Sequence, residues 1–316
     1  MKRVFCLYLS LLIAACSLPS STDVTIPTMT QTAPPSTPTI APTATTLPTF
    51  TPIPPTATAI PCDPLTADYC ISARGFIFQR PILPPDNNQV DLTYMYASTQ
   101  NGKREAHHGV EFQNAFGTPV HAAGDGVVVF ADSDKTTKFA SWTNFYGNLV
   151  VIQHANGIYT LYAHLSAILV QAGAEVKAGD VIGQVGATGG ATGSHLHFEV
   201  RTGSAYTDYS STQNPELWLM PPPGTGALSI TLKTSYERNY ERALVISRYA
   251  EDSDTILFTY YATTYTRGFE RHPEDLILNS LPAGRYKIAF SDSFGLQERF
   301  VRVEEGRLTE VVFEWR

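Results

Sequence analysis

Residues 148–164 read NLVVIQHANGIYTLYAH, and this stretch predicts a β-hairpin. Two largely apolar runs, residues 148–154 and 158–164, flank Ala155-Asn156-Gly157. An Asn-Gly pair between such runs is a strong signal for a tight turn between antiparallel strands.

The pattern of short strands and glycine turns extends on both sides of this hairpin, between residue 62 and about residue 223. Residues 126–130 form an apolar run that follows the turn residues Gly124-Asp125, and residues 176–185 contain the turn Ala178-Gly179-Asp180. Residues 195–201 alternate, so that one face carries Leu196, Phe198 and Val200, and the other His195, His197, Glu199 and Arg201. Long helical periodicity is absent. We therefore predict an all-β domain of antiparallel sheets with a short-strand, glycine-rich core, over residues 62–222.

A second domain is predicted after Pro221-Pro222-Pro223-Gly224, which has the composition of a domain boundary. About seven strand-like runs follow, and in one of them Tyr286, Ile288 and Phe290 alternate with polar or small residues. This spacing predicts a small antiparallel β-sandwich over residues 223–316.

The charge balance limits the partners of the chain. Among 316 residues, 29 are acidic and 22 are basic, for a formal net charge of −7. An acidic chain without a basic run lacks the electrostatic footprint of a nucleic-acid-binding protein. A hydrophobic content of 43% is enough for a packed core, so disorder throughout is excluded.

The amino terminus has the pattern of an export signal. Lys2 and Arg3 precede an apolar segment, residues 4–15, that is too short to span a membrane as a helix. It ends in Leu12-Ile13-Ala14-Ala15-Cys16, which resembles the bacterial lipobox. The resemblance implies that residues 1–16 are a lipoprotein signal peptide, that Cys16 carries a lipid anchor, and that the protein is extracytoplasmic and membrane-anchored. An ordinary signal peptide with a chance cysteine is the alternative.

Residues 17–61 have the composition of a disordered linker. They hold 11 Pro and 14 Thr among 45 positions, with Asp23 as the one charged residue. Such a segment cannot bury enough apolar surface to fold, and as polyproline II it would reach on the order of 140 Å. After cleavage before Cys16, Cys62 and Cys70 remain available to pair, as expected in an exported protein.

Histidines are concentrated in the first domain, where seven of the eight lie between residues 107 and 197. His195 and His197 are two apart on a predicted strand, so both imidazoles point to the same face. His164 ends the second strand of the hairpin, and His107 and Glu111 flank a short turn. Imidazoles and a carboxylate are the ligand and acid–base groups of catalytic zinc sites.

Several separated sequence blocks accompany these histidines in order. The blocks are His107-His108-Gly109-Val110-Glu111, Gly117-Thr118-Pro119-Val120, Gly126-Val127-Val128, Tyr146-Gly147-Asn148, Tyr162-Ala163-His164-Leu165-Ser166, Ala178-Gly179-Asp180-Val181-Ile182-Gly183 and Gly193-Ser194-His195-Leu196-His197-Phe198-Glu199. Over about residues 100–201 the chain resembles the lysostaphin/LytM-type zinc endopeptidases, which cut bacterial cell-wall peptides. The resemblance implies a Zn²⁺ cofactor and peptidoglycan as substrate.

By the same resemblance, His107, Glu111 and His197 are expected to bind Zn²⁺. His164 and His195 are expected to flank the catalytic water and to act as its acid–base groups, since a His-Glu-x-x-His helix is absent. Glu111 is the one departure, because the family normally has aspartate there. The extra methylene shifts the carboxylate by about 1 Å unless the backbone adjusts, and misplacement on that scale can cost roughly a hundredfold in rate.

Three alternatives stay open at this point. A change at Glu111 could leave a catalytically impaired module that binds the cell wall or regulates another hydrolase. Residues 176–185 are similar to the hairpins of biotinyl and lipoyl carrier domains, but no lysine sits at a hairpin tip. Stem-peptide cross-links and oligoglycine bridges both remain possible substrates.

The remaining candidate residues have structural interpretations. A metal-site register starting at His108 would place Phe112, which cannot bind metal, four residues on. Glu199 is expected either to orient His197 or to form a surface salt bridge with Arg201. Residues 186–193 are predicted to be a flexible rim of the groove rather than a phosphate loop. The other positions, for which structural or exposed roles are expected, are His121, Tyr146, His154, Tyr162 and His272.

Overall fold

The computed structural model describes residues 62–73, 75–100, 102–234, 242–265 and 274–315. The predicted signal peptide (1–16), the predicted linker (17–61) and His272 lie outside these ranges. Within them, no helix combines the length and the apolar character needed to cross a membrane.

Strands and short turns make up the regular structure of the described ranges, so the predicted all-β class is confirmed. Three 3-10 turns lie at Ala155–Gly157, Tyr209–Ser211 and Pro215–Leu217. In chain order the strands are β1 (Cys70–Ser72), β2 (Val110–Gln113), β3 (Pro119–His121), β4 (Gly126–Ser133), β5 (Asn148–Gln153), β6 (Ile158–Ala163), β7 (Ala167–Ile168), β8 (Glu175–Val176), β9 (Val181–Gln184), β10 (His195–Thr202), β11 (Thr212–Gln213), β12 (Thr225–Thr234), β13 (Ala243–Tyr249), β14 (Ile256–Thr263), β15 (Leu276–Pro282), β16 (Gly284–Asp292), β17 (Gly295–Val303) and β18 (Leu308–Trp315).

The predicted hairpin is confirmed as the antiparallel pair β5–β6, in which Val150 lies opposite Tyr162. Asn156 and Gly157 in its turn have φ values of 60° and 68°. Asparagine and glycine tolerate this left-handed backbone better than other residues, which explains why the turn forms at this pair.

The hairpin lies inside a seven-stranded antiparallel sheet with the order β11-β10-β6-β5-β4-β8, in which β2 also pairs with β10. Each central strand alternates between two buried faces. One face carries Val150, Tyr162 and Phe198 into the main core. The other carries Leu149, Val151 and Leu161 against Phe139 and Tyr146 of the segment 134–147. Because this segment covers the second face, the polar side chains of β10 on that face are also buried.

The turn at residues 178–180 separates two sheets instead of closing a hairpin. β8 pairs with β4 of the large sheet, whereas β9 pairs with β3 and β7 in a three-stranded sheet. The resemblance of residues 176–185 to a carrier-domain hairpin therefore does not extend to the structure.

The seven strands predicted after Pro223 are present as β12 to β18, in two four-stranded sheets with the orders β1-β18-β12-β15 and β14-β13-β16-β17. One pair departs from the antiparallel expectation, because β12 and β18 run parallel. The short strand β1 joins this sheet by pairing with β18, and a disulfide links its Cys70 to Cys62.

A buried polar cluster joins the strands that follow Pro223 to the preceding part of the chain. Arg80 is 5% exposed and donates to the backbone carbonyls of Asn88 and Asn279 and to the Ser280 hydroxyl. The Asn279 backbone N–H donates to the Glu216 carboxylate at 2.7 Å. Because buried polar groups are costly to leave unpaired, these contacts fix the sandwich beside the large sheet.

We expect Glu216→Gln to stabilise the protein above neutral pH. Burial raises the pKa of Glu216 to about 7, against the Asn279 hydrogen bond and the charge of Arg80. Between the unfolded pKa, about 4.5, and pH 7 the folded state binds more protons, so the free energy of unfolding falls as pH rises through this window. The loss amounts to about 3 kcal/mol at most.

Urea unfolding with a metal chelator present, at several pH values from about 4.5 to 8, measures this difference. The two proteins should be equally stable at the acid end, and the Glu216→Gln variant more stable above pH 7. A difference that did not change with pH would contradict the assignment.

Candidate metal centre

Two neighbouring strands carry most of the candidate site. His195 and His197 lie on β10, and Glu111 lies on β2 directly opposite His197 in the antiparallel register. Gly109, just before β2, allows this close approach, because a Cβ there would lie 2.5 Å from the Phe198 carbonyl oxygen and 2.8 Å from the His197 ring. His107 lies in the segment just before β2.

Three side chains converge at this point, and they are the three that the family resemblance implied as metal ligands. His107 Nε2 lies 2.9 Å from Glu111 Oε1 and 3.2 Å from His197 Nδ1. Glu111 Oε1 lies 3.1 Å from His197 Nδ1. The three ligand atoms lie within 4.8 Å of one another, and all three residues are buried.

The outer nitrogen of each of the two candidate ligand histidines contacts a protein oxygen. His107 Nδ1 lies 3.0 Å from the Tyr94 carbonyl oxygen, and His197 Nε2 lies 3.0 Å from Glu199 Oε1. Metal-binding histidines characteristically donate their second N–H to such a carbonyl or carboxylate, which orients the ring. Two imidazoles and one carboxylate, oriented in this way, fit the three-ligand set of a catalytic Zn²⁺ site.

Neighbouring carboxylates determine the charge of His197 in this cluster. Burial alone would lower the pKa of His197, but the Glu111 and Glu199 carboxylates outweigh it and raise the pKa to about 9. The pKa of Glu111 is held well below its usual value against its burial, chiefly by His197. The two carboxylates thus favour the protonated form of the His197 ring.

His164 and His195 lie beside the three candidate ligands, and the centroids of the His164 and His195 rings are 4.9 Å apart. Their Nδ1 atoms lie 2.9 Å from the Thr188 carbonyl oxygen and 3.0 Å from the Gly193 carbonyl oxygen. A carbonyl can only accept, so each Nδ1 carries the proton and each Nε2 has a free lone pair when the ring is neutral. Burial lowers the pKa of His164 to about 3, with a further contribution from His197.

One further contact involves His195. Its Nε2 lies 3.0 Å from Glu111 Oε2, the carboxylate oxygen that does not face His107 and His197. The longer side chain of glutamate thus contacts three histidines with its two oxygens.

Glu199 is completely buried, so the expected surface salt bridge with Arg201 is wrong in its location. Glu199 Oε2 accepts from Arg201 Nε at 2.7 Å, while Oε1 accepts from Tyr146 and faces His197. Burial would raise the pKa of Glu199, but Arg201 and His197 hold it well below its usual value. The carboxylate therefore stays ionised and orients His197.

An open cavity of about 470 Å³ gives access to the histidines. Its walls include Tyr94, Arg104, Trp142 and Phe145, and Gly190–Gly193 contribute part of the rim. The stretch predicted as a rim thus does line the groove, whereas Tyr146 and Tyr162 are buried and do not. Tyr94, which the sequence analysis missed, stacks on His107 with ring centroids 3.9 Å apart.

The other described histidines make structural contacts outside the donor cluster. His108 stacks on Tyr209 with ring centroids 3.5 Å apart, and its Nδ1 faces the Thr212 hydroxyl. His154 lies between the Asp125 carbonyl and the Thr160 hydroxyl, and His121 faces the Gly179 carbonyl. The structure therefore places His107, and not His108, at the centre.

Comparison with known proteins is consistent with this geometry. The family model described as Peptidase family M23 matches residues 105–209. A DD-carboxypeptidase/endopeptidase of Neisseria meningitidis serogroup B, Mpg, is 50% identical over 95 residues, which are 30% of this chain and 20% of that protein. The peptidoglycan DD-endopeptidase ShyC of Vibrio cholerae is 38% identical over 115 residues, 36% of this chain and 24% of that protein. The chain thus spans no more than a quarter of the length of these relatives.

Among solved structures, the catalytic domain of the antimicrobial peptidase lysostaphin from Staphylococcus simulans is 29% identical, and the match covers 46% of this chain and 89% of that one. The TM-score of this match is 0.31.

Proposed function

We propose that this protein, whose residues 105–209 form a domain of peptidase family M23, is a zinc-dependent endopeptidase that hydrolyses peptide cross-links of peptidoglycan. The observation that carries the proposal is the convergence of His107, Glu111 and His197, with His164 and His195 beside them at one open groove. Relatives named as peptidoglycan endopeptidases support a role in cell-wall hydrolysis.

The residues present suit peptide hydrolysis. A Zn²⁺ ion bound by His107, Glu111 and His197 would supply Lewis acidity, polarising a peptide carbonyl and lowering the pKa of a water molecule toward about 7. His164 Nδ1 faces the Thr188 carbonyl, so in the neutral ring its Nε2 can accept a proton from the attacking water and return it to the leaving amine. His195 is the second candidate for this role. Glu199 and the Tyr94 carbonyl keep the two ligand rings in place.

We further propose the arrangement that brings this activity to its substrate. Residues 1–16 would be a lipoprotein signal peptide, Cys16 the lipid anchor and residues 17–61 the tether. Residues 62–222 would then be the peptidase domain and residues 223–316 the accessory sandwich. Since the cell wall lies outside the cytoplasm, an exported and anchored protein with a long tether would reach it.

A second function rests on one contact. Glu111 Oε2 lies 3.0 Å from His195 Nε2, so the carboxylate is within ion-pair distance of a proposed acid–base residue as well as of His107 and His197. If this contact persisted with metal bound, turnover would be lost, and the protein would act as a cell-wall binding or hydrolase-regulating module.

Removal of metal separates the two functions. The full chain, supplied with Zn²⁺, should release new amino groups from isolated peptidoglycan, and a chelator should stop the release until Zn²⁺ is added back. We expect the rate with chelator to fall to background, because the histidines alone supply no Lewis acid. No release from several wall types, together with zinc-free protein, would favour the binding or regulatory function.

A further inference from the structure

The carboxylates that line the groove are already engaged within the protein. Asp91 accepts from Gln113 Nε2 at 3.1 Å, and Glu105 accepts from the Ser141 hydroxyl at 3.1 Å. Glu111 faces the histidines of the metal centre. The negative charges of the groove therefore each have a donor nearby.

Arg104 is different, because its guanidinium contacts Tyr94 and forms no ion pair with a described carboxylate. Its side chain is exposed and lines the groove, and among the described residues no carboxylate lies within ion-pair distance of its guanidinium. A permanently charged guanidinium presents several donors in a planar arrangement that matches a carboxylate.

Tyr94 positions this guanidinium beside the metal centre. Arg104 Cζ lies 5.1 Å from the centroid of the Tyr94 ring, within range of a cation–π interaction. The same ring stacks on the His107 imidazole with an interplanar angle of 13°. Because Tyr94 contacts both groups, the Arg104 guanidinium lies one aromatic ring away from His107.

We infer that Arg104 binds a free carboxylate that the substrate carries on a residue adjoining the scissile bond. This inference rests on the proposed function and names its substrate class. It selects peptides in which the amino acid next to the cleaved amide keeps its α-carboxylate, as at the end of a stem peptide or at a cross-link to such an amino acid. Oligoglycine bridges, which carry no charge near the cleaved bonds, would not satisfy Arg104.

Matched peptides test the inference with the full chain. Two peptides share one sequence and one cleavable bond, and the residue after this bond ends in a free carboxylate in one peptide and in a carboxamide in the other. We expect the wild type to show a kcat/KM about tenfold higher for the carboxylate peptide, mainly through a lower KM. A charge-assisted hydrogen bond to an exposed guanidinium contributes binding energy of about this size. Arg104→Gln should bring this ratio close to one, and Arg104→Lys should restore part of it.

Lys103→Gln is the matched control, because it removes the same charge one position away. Lys103 lines a separate cavity of about 300 Å³ that also includes Tyr261 and Thr263. The Lys103→Gln variant should keep the wild-type ratio, and an equal loss in both variants would mean that only general charge attraction is involved, which overturns the assignment. Equal cleavage of both peptides by the wild type would also overturn it, while leaving the endopeptidase activity in place. Cleavage of neither these peptides nor peptidoglycan would instead count against the proposed function.

Discussion

His197→Ala is expected to abolish both zinc binding and hydrolysis. His197 Nδ1 is one of the three atoms of the donor cluster, and its Nε2 faces Glu199. Losing only the outer hydrogen bond of a metal-bound histidine typically costs about 10- to 100-fold in metal affinity or activity. Removal of the ligand itself should cost more, because two protein ligands do not make the three-ligand set of a catalytic zinc site.

Metal analysis of the purified variant and amine release from peptidoglycan measure the two effects together. His121→Ala provides a control, since His121 is a half-buried histidine of the same domain that contacts the Gly179 carbonyl away from the centre. This control should keep both zinc and activity. Stoichiometric zinc in the His197→Ala variant would show that the metal is bound elsewhere.

His195→Ala should give the opposite combination, with zinc retained and turnover lost. His195 lies outside the three-residue donor cluster, and its Nδ1 faces the Gly193 carbonyl while its Nε2 points to Glu111. General acid–base catalysis by a positioned side chain typically contributes about 10²- to 10⁴-fold, so kcat should fall by that factor. The affinity for the peptide should change little, because the side chain is small and almost buried.

The decisive readout is kcat measured on protein of known zinc content. A full rate in the His195→Ala variant would remove the acid–base role from this residue and leave His164 as the candidate. A loss of zinc in that variant would show instead that His195 helps to hold the metal, which its contact with Glu111 allows.

Local sequence patterns predicted the hairpin turn and the shared face of His195 and His197, because both depend on neighbouring residues. The Asn156-Gly157 turn forms where expected because its positive φ values suit these two residues. The alternation along residues 195–201 predicted one shared face for His195 and His197, because side chains two apart on a strand point to the same side. The ligand assignment needed the family resemblance in addition, since spacing alone does not bring His107 to β10.

Long-range pairing accounts for what local patterns did not reveal. The turn at residues 178–180 connects two different sheets, and β12 pairs with β18 in parallel. The burial of Glu199 depends on the segment 134–147, which packs over the second face of the large sheet. No periodicity within β10 could have indicated that cover.

By itself, the amino-acid sequence determined the all-β class, the position of the hairpin and the residue types available for a metal site. Turn preferences and the two-residue repeat of a strand act over a few neighbouring residues, so they can be recognised directly. Only the tertiary structure decided that Tyr94 stacks on His107, that Glu111 contacts three histidines and that Arg104 lines the groove beside Tyr94. Those contacts join residues on separate segments, and packing of the whole chain sets their distances.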